Sequence, residues 1–144
     1  YALAPYPMFI GWGALWGETI LFSMCILEEM QWKRTRYITS ADFFHGTLEL
    51  VEPGVPVFLF MGEDENRKLD ERVRAFLTRG VTGDTDINVI DTAEFAIPGL
   101  DDEFRVIVSP WILSSLITDR LAAYYETVTK HNLNYRRYYH QFDY

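Results

Sequence analysis

The chain has 144 residues, room for one domain with a real core and not comfortably for two. Hydrophobic residues at 49% against charged residues at 24% exclude a disordered chain. A formal charge of −8 disfavours a nucleic-acid backbone as ligand, although a few amides and an arginine still suffice for a small anion.

Pro5 and Pro7 punctuate an irregular start, and Met8-Phe9-Ile10 reads as a buried strand entering the glycine turn Gly11-Trp12-Gly13. Glu18 to Trp32 carries Ile20, Leu21, Met24, Leu27 and Trp32 at helical spacing, with Glu28 and Glu29 near its end. Tyr37-Ile38-Thr39-Ser40 is a second strand, after which Thr39 or Ser40 caps a short helix through Phe43, Phe44 and Leu48. Val57 to Met61 is an unbroken apolar run, the pattern of a strand covered on both faces. A helix follows from Asp64 to Thr78, with Leu69, Val73, Phe76 and Leu77 inward, and Gly80 closes it. Ile87 to Ile90 is the fourth strand. A last helix is expected from Asp101 to about Thr129, broken at Pro110, with Phe104, Val108, Ile112, Leu116, Leu121 and Tyr125 inward. His131 to Tyr144 is an aromatic-basic tail without period.

Strand alternating with helix at these spacings predicts an α/β fold, a three-layer open parallel sheet of four or five strands flanked by helices. No helix precedes the first strand, so one part of the sheet is expected to need a partner or a preceding segment. Ten Phe, nine Tyr and four Trp exceed what one small core needs. Part of Trp12, Trp16, Tyr124, Tyr125 and the tail aromatics is therefore expected in an interface. There is no run of 18 apolar residues and no basic-then-apolar leader. The expectation is a cytoplasmic chain with neither a membrane nor a nucleic acid as partner. Cys25, the single cysteine, cannot form an intrachain disulfide and reads as core packing.

Open parallel sheets bind ligands beyond the carboxyl ends of their strands. The loop Gly11 to Gly17 is a candidate there, with Gly13 and Trp16 presented to an anion or substrate, or it is a simple tight turn. Glu29 lies late in a largely apolar helix, where a carboxylate is suited to proton transfer if burial perturbs it. Glu28 faces another side and reads as solvated. His45, between an aromatic pair and Gly46, is a proton carrier near neutral pH or a capping histidine. His45, His131 and His140 form no metal motif with Cys25.

The segments Glu29-Met30-Gln31-Trp32 and Ser40-Ala41-Asp42-Phe43-Phe44-His45-Gly46 resemble the second sugar-isomerase (SIS) domain of enzymes that deglycate 6-phosphorylated Amadori compounds. These are relatives of the isomerase half of glucosamine-6-phosphate synthase. Gly11 to Gly17, Gly62-Glu63-Asp64, Ser109-Pro110 and Arg136-Arg137-Tyr138 fall in family order, so the resemblance spans nearly the whole chain. It implies that residues 1–130 are a C-terminal SIS domain and that 131–144 contribute to an interface or active site. It also implies catalytic roles for Glu29 and His45, each serving a different site in an assembly. Gly13, Trp16, Arg136, Arg137 and His140 are the implied substrate-binding residues, with no metal or cofactor.

Two departures shape the expected function. The synthase relatives carry a ring-opening lysine in the tail, where this chain has Tyr139-His140-Gln141-Phe142. The Ser/Thr-rich phosphate loop of the family's first SIS domain has no counterpart in these residues. The expected activity is hydrolysis of fructoselysine 6-phosphate or glucoselysine 6-phosphate to glucose 6-phosphate and free amino acid. A sugar-phosphate aldose-ketose isomerase and a non-catalytic phosphosugar-binding domain are the alternatives. The expected partner is a first SIS domain or a second copy, as a homodimer or higher homo-oligomer.

Overall fold

In the computed structural model, which describes residues 1–80 and 82–144, four strands form one parallel sheet in the order β2-β1-β3-β4. They are β1 (Met8–Gly11), β2 (Arg36–Thr39), β3 (Val57–Met61) and β4 (Ile87–Asp91). Met8 pairs with Arg36 on one side and Val57 on the other, and Val57 pairs with Ile87, so all strands begin at one level. The central strands β1 and β3 are buried along their whole length, which is why they read as unbroken apolar runs.

Alternation along these strands sorts the core into two layers. Phe9, Phe58 and Phe60 face one side, where Phe9 stacks on Phe58 at 5.0 Å and meets Phe22 edge-on at 5.4 Å. Met8, Ile10, Val57, Leu59 and Met61 face the other, against Phe43, Val55, Val73 and Leu77. Each fully buried side chain of this size contributes about 1.5–3 kcal/mol. Helices thus cover both faces.

The first layer is built from the segment after β1 and from the last helix. Helix α1 (Trp16–Ile20) widens into a π-helical stretch, Leu21–Met30. Thr19 and Ser23 each donate a hydroxyl to the carbonyl four residues earlier, at 2.8 and 2.7 Å, and so compete for acceptors where the ladder widens. Glu29 therefore sits on a π-helical turn. Cys25 is half-buried rather than core, and burial together with the Glu29 carboxylate pushes its thiol pKa up.

The last helix is continuous, which corrects the expected break at Pro110. It runs as α3 (Asp102–Leu113), a π-helical turn (Ser114–Thr118) and α4 (Asp119–Thr129). The Ser109 hydroxyl donates to the Val106 carbonyl at 3.1 Å, supplying a partner where proline has no N–H to offer. The buried residues are Ser109, Leu113, Ile117, Ala122 and Tyr125. Of the six expected inward residues only Tyr125 is fully buried, and Phe104 is exposed. The helix face is rotated by one residue from the expected one.

The second layer contains α2 (Arg67–Leu77), which starts three residues later than expected. Asp64 accepts the Asn66 N–H at 2.8 Å, an Asx turn that holds the chain out of the helix. The expected short helix after β2 is two 3-10 turns, Phe43–His45 and Thr47–Leu50, parted by Gly46 at φ 144°. Thr39 accepts the Asp42 N–H at 3.0 Å, whereas Ser40 turns away to the buried Asp70.

Candidate active site

The predicted site residues fall at two ends of the sheet. Because α1 and its continuation run back against β1, Gly13 and Trp16 lie beyond the carboxyl end of β1, and Glu29 lies beside the segment entering β2. Glu28 marks that level, since its carboxylate accepts the Thr35 hydroxyl at 2.6 Å. Glu28 is thus half-buried and partnered, not simply solvated.

At the carboxyl end, the glycine loop is already satisfied by the chain itself. The Ala14 N–H donates to Asp64 at 2.9 Å, and a Cβ on Gly13 (φ 56°) would lie 1.9 Å from the same Asp64 carboxylate. An internal carboxylate therefore occupies the position expected for an external anion. Trp16 packs against the ring of Tyr37 at 6.2 Å. The neighbouring acids are also engaged. Asp91 pairs with Arg67, which holds its carboxyl below the usual carboxylate range, and Arg67 also donates to the Gly62 carbonyl at 2.8 Å. Arg105 pairs with Glu63. Asp70, 2% exposed, accepts from the Ser40 hydroxyl at 2.5 Å and the Gly62 N–H at 3.2 Å. Burial pushes its carboxyl up to about 6.

At the amino end, the tail folds back to build a cleft of about 780 Å³ around Glu29. Its volume suits a small-molecule ligand. Arg136 lies 3.0 Å from the Glu29 carboxylate, and its guanidinium also donates to the Leu133 and Tyr135 carbonyls at 2.7 and 2.8 Å. The Arg137 guanidinium carbon lies over the Trp32 ring, 4.0 Å from its centroid. Lys33, Arg34, Tyr138, Tyr139 and Tyr144 complete the wall. Arg136 and Arg137 thus join Glu29 as expected. His140 does not line the cleft; it is exposed at φ 53° with its ring on Tyr139.

Sequence reasoning missed the residues that fasten the tail. Gln31, 6% exposed, donates to the His131 carbonyl at 2.7 Å and accepts the Thr129 hydroxyl at 2.7 Å. A polar residue ending an apolar helical run was the available signal for Gln31. Nothing local could name partners about a hundred residues away. Trp32 adopts φ 53°, an uncommon left-handed conformation for a residue other than glycine, and this turns its ring toward the tail.

His45 stands apart from Glu29. Its turn follows the carboxyl end of β2, and its neighbour Phe43 is buried in the layer of α2, whereas the helix of Glu29 belongs to the layer of α4. The edge strand β2 runs between them. His45 is exposed, its backbone N–H donates to the Asp42 carbonyl, and its ring has no hydrogen-bond partner among the described residues. Within one chain the two groups do not face a common ligand.

No family model matches the chain. Fructosamine deglycase FrlB of Bacillus subtilis is 32% identical over 129 residues, which are 88% of this chain and 37% of that protein. Fructoselysine 6-phosphate deglycase of Escherichia coli is 36% identical over 116 residues, 78% of this chain and 31% of that protein. A Bacillus subtilis crystal structure described as a phosphosugar isomerase superposes with a TM-score of 0.87 at 27% identity, over 99% of this chain and 42% of that one. The chain belongs to the sugar-isomerase (SIS) domain family. A Salmonella typhimurium structure of the same description gives a TM-score of 0.85 at 29% identity. This SIS domain spans between about a third and two fifths of the length of these relatives.

Several expected interface aromatics have surfaces to offer. Tyr124, Tyr138, Tyr139, Phe142 and Tyr144 are exposed, as are Ile107 and Trp111 of α3. Tyr125 is the correction. It is 5% exposed within the chain, edge-on to Phe22, and burial pushes its phenol up to about 12.

Proposed function

We propose that this SIS domain forms part of a deglycase acting on a 6-phosphorylated Amadori compound. The observation that supports the reading is the cleft around Glu29. It offers a carboxylate within a cationic, aromatic wall, in a chain about one third identical to two named deglycases. In the proposed reaction Glu29 removes a proton from C1 of the open-chain sugar, which carries the amine, and the electron pair forms an enaminol with C2. Redelivery of a proton to C2 leaves a C1 imine. Water adds to C1 and the C1–N bond breaks, releasing glucose 6-phosphate and the free amine. His45 is the proton donor for ring opening or for the departing nitrogen. A carboxylate and an imidazole supply this base and acid near neutral pH.

The separation of Glu29 and His45 into opposite layers supports a shared-site arrangement, in which each active site takes the two groups from different domains or copies. The phosphate end of the substrate then falls to a domain outside this chain, since the Gly13 loop is filled by Asp64. An aldose-ketose isomerase is the second reading, favoured by the likeness to two structures described as phosphosugar isomerases. Products decide between them. Incubation with fructoselysine 6-phosphate is expected to yield free lysine and glucose 6-phosphate in equal amounts. Formation of an isomerised phosphosugar from a hexose phosphate, with no amine release from the Amadori compound, would sink the deglycase reading.

A further inference from the structure

The cleft holds more positive charge than Glu29 needs. In a chain of formal charge −8, Lys33, Arg34, Arg136 and Arg137 converge there against Glu28 and Glu29. The two acids are engaged, Glu28 by Thr35 and Glu29 by Arg136. Lys33 donates to the Ala4 carbonyl at 3.0 Å. Among the described residues Arg137, like Lys33 and Arg34, has no carboxylate partner; what sets it apart is that its guanidinium carbon lies over the Trp32 ring, 4.0 Å from the centroid. A guanidinium held over a ring keeps its planar fork of N–H donors, the group that grips a carboxylate through two parallel hydrogen bonds. The backbone of Trp32 is itself held left-handed to present that ring.

We infer that Arg137, stacked on Trp32, is a specificity residue that binds the carboxylate of the amino-acid part of the substrate. The inference rests on the deglycase reading of the same cleft. If Glu29 works at C1, the substituent nearest to it is the amine and its chain, whereas the phosphate lies at the far end of the sugar. Trp32, Tyr138, Tyr139 and Tyr144 supply aromatic surface to the same cleft as Glu29 and Arg137. That surface suits the aliphatic part of an amino acid, and a cation at its end suits the acid group. Among the described residues the cleft lining carries no glycine and no serine, and its one threonine, Thr35, is committed to Glu28, so it lacks the amide-rich loop that usually cradles a phosphate.

The test compares two substrates on the assembled enzyme: fructoselysine 6-phosphate and the corresponding Amadori phosphate of 1,5-diaminopentane, which lacks only the carboxylate. The unaltered enzyme is expected to prefer the first in kcat/KM by ~10–100-fold, the usual cost of losing one charged hydrogen-bonded partner. Arg137→Gln should erase that preference by raising KM for the lysine compound, with kcat and the diaminopentane compound little changed. Arg137→Lys should recover part of it. Equal effects of Arg137→Gln on both substrates, or an unaltered enzyme with no preference, would overturn the carboxylate role while leaving the deglycase reading intact. An unaltered enzyme inactive on both compounds would remove both the reading and the inference built on it.

Discussion

The two ends of the sheet handle charge in opposite ways. At the carboxyl end, where an open parallel sheet usually binds its ligand, Asp64 fills the glycine loop, Asp91 pairs with Arg67, and Glu63 pairs with Arg105. At the amino end, the cleft around Glu29 keeps cations in excess over acids, and among the described residues Lys33, Arg34 and Arg137 have no carboxylate partner. A rim whose charges are internally matched gives rigidity. A cleft with unmatched charge has something left to offer a ligand.

The comparison breaks most sharply at Glu29. Glu29→Gln keeps the size and removes the base, and turnover on the authentic substrate is expected to fall by ~10²-fold or more in the assembled enzyme. His45→Asn should also slow turnover with the fold intact. If sites are shared between copies, mixing the two inactive variants should restore part of the activity, because one site then receives both native groups. Wild-type turnover in Glu29→Gln would end the proposed mechanism, and a mixture as inactive as its components would end the sharing between copies.

The carboxyl end should respond in stability instead. Gly13→Ala forces a Cβ onto the Asp64 carboxylate at a positive φ, so the loop must give up its Ala14 hydrogen bond or move. The expected loss is about 1–3 kcal/mol by denaturant unfolding, with smaller change in the KM of the assembled enzyme. A Gly13→Ala protein of unchanged stability would show that Asp64 does not hold this loop.

A smaller effect is expected where the tail is fastened. Gln31→Leu removes the donor to the His131 carbonyl, whereas the Thr129 hydroxyl keeps the Tyr125 carbonyl as acceptor, so the cost is about 1 kcal/mol. Hydrogen exchange of residues 131–144 should quicken while the amides of β1 and β3 stay protected. Equal quickening in both regions would mean that the tail is not a separable unit of the fold.

Much of the fold was legible because the buried strands announce themselves. Met8 to Ile10 and Val57 to Met61 are continuous apolar runs, and both are central strands. The last helix was less legible: apolar residues line two neighbouring faces and the buried face carries the polar Ser109, so an apolar pattern selected Phe104 and Ile112 in place of Ser109 and Leu113. Glu29, Arg136 and Arg137 were picked out, but their meeting depends on a tail contact across about a hundred residues that no local pattern encodes. The filling of the Gly13 loop was equally hidden, since Asp64 lies on the far side of a crossover.

The finest test of the comparison is the pH dependence of stability, where two acids of the carboxyl end act with opposite sign. Asp91 is held below its ordinary range chiefly by its hydrogen bonds from Arg67, so its contribution is present above the ordinary carboxylate value and is lost as pH falls. Asp70 is pushed from 3.8 up to about 6, chiefly by burial, so between those values the folded chain holds a proton that the unfolded chain has released. Its contribution is therefore full below 3.8 and is lost as pH rises through about 6. Asp70→Asn removes the titration while an amide can still accept from the Gly62 N–H and donate to the Ser40 hydroxyl. The variant should lose the decline in melting temperature between about pH 4 and 6.5 and keep the acid limb set by Asp91. If Asp70→Asn and the native chain instead show parallel melting curves across that interval, Asp70 does not titrate there, and the carboxyl end holds its charge as rigidly as the ion pairs around it.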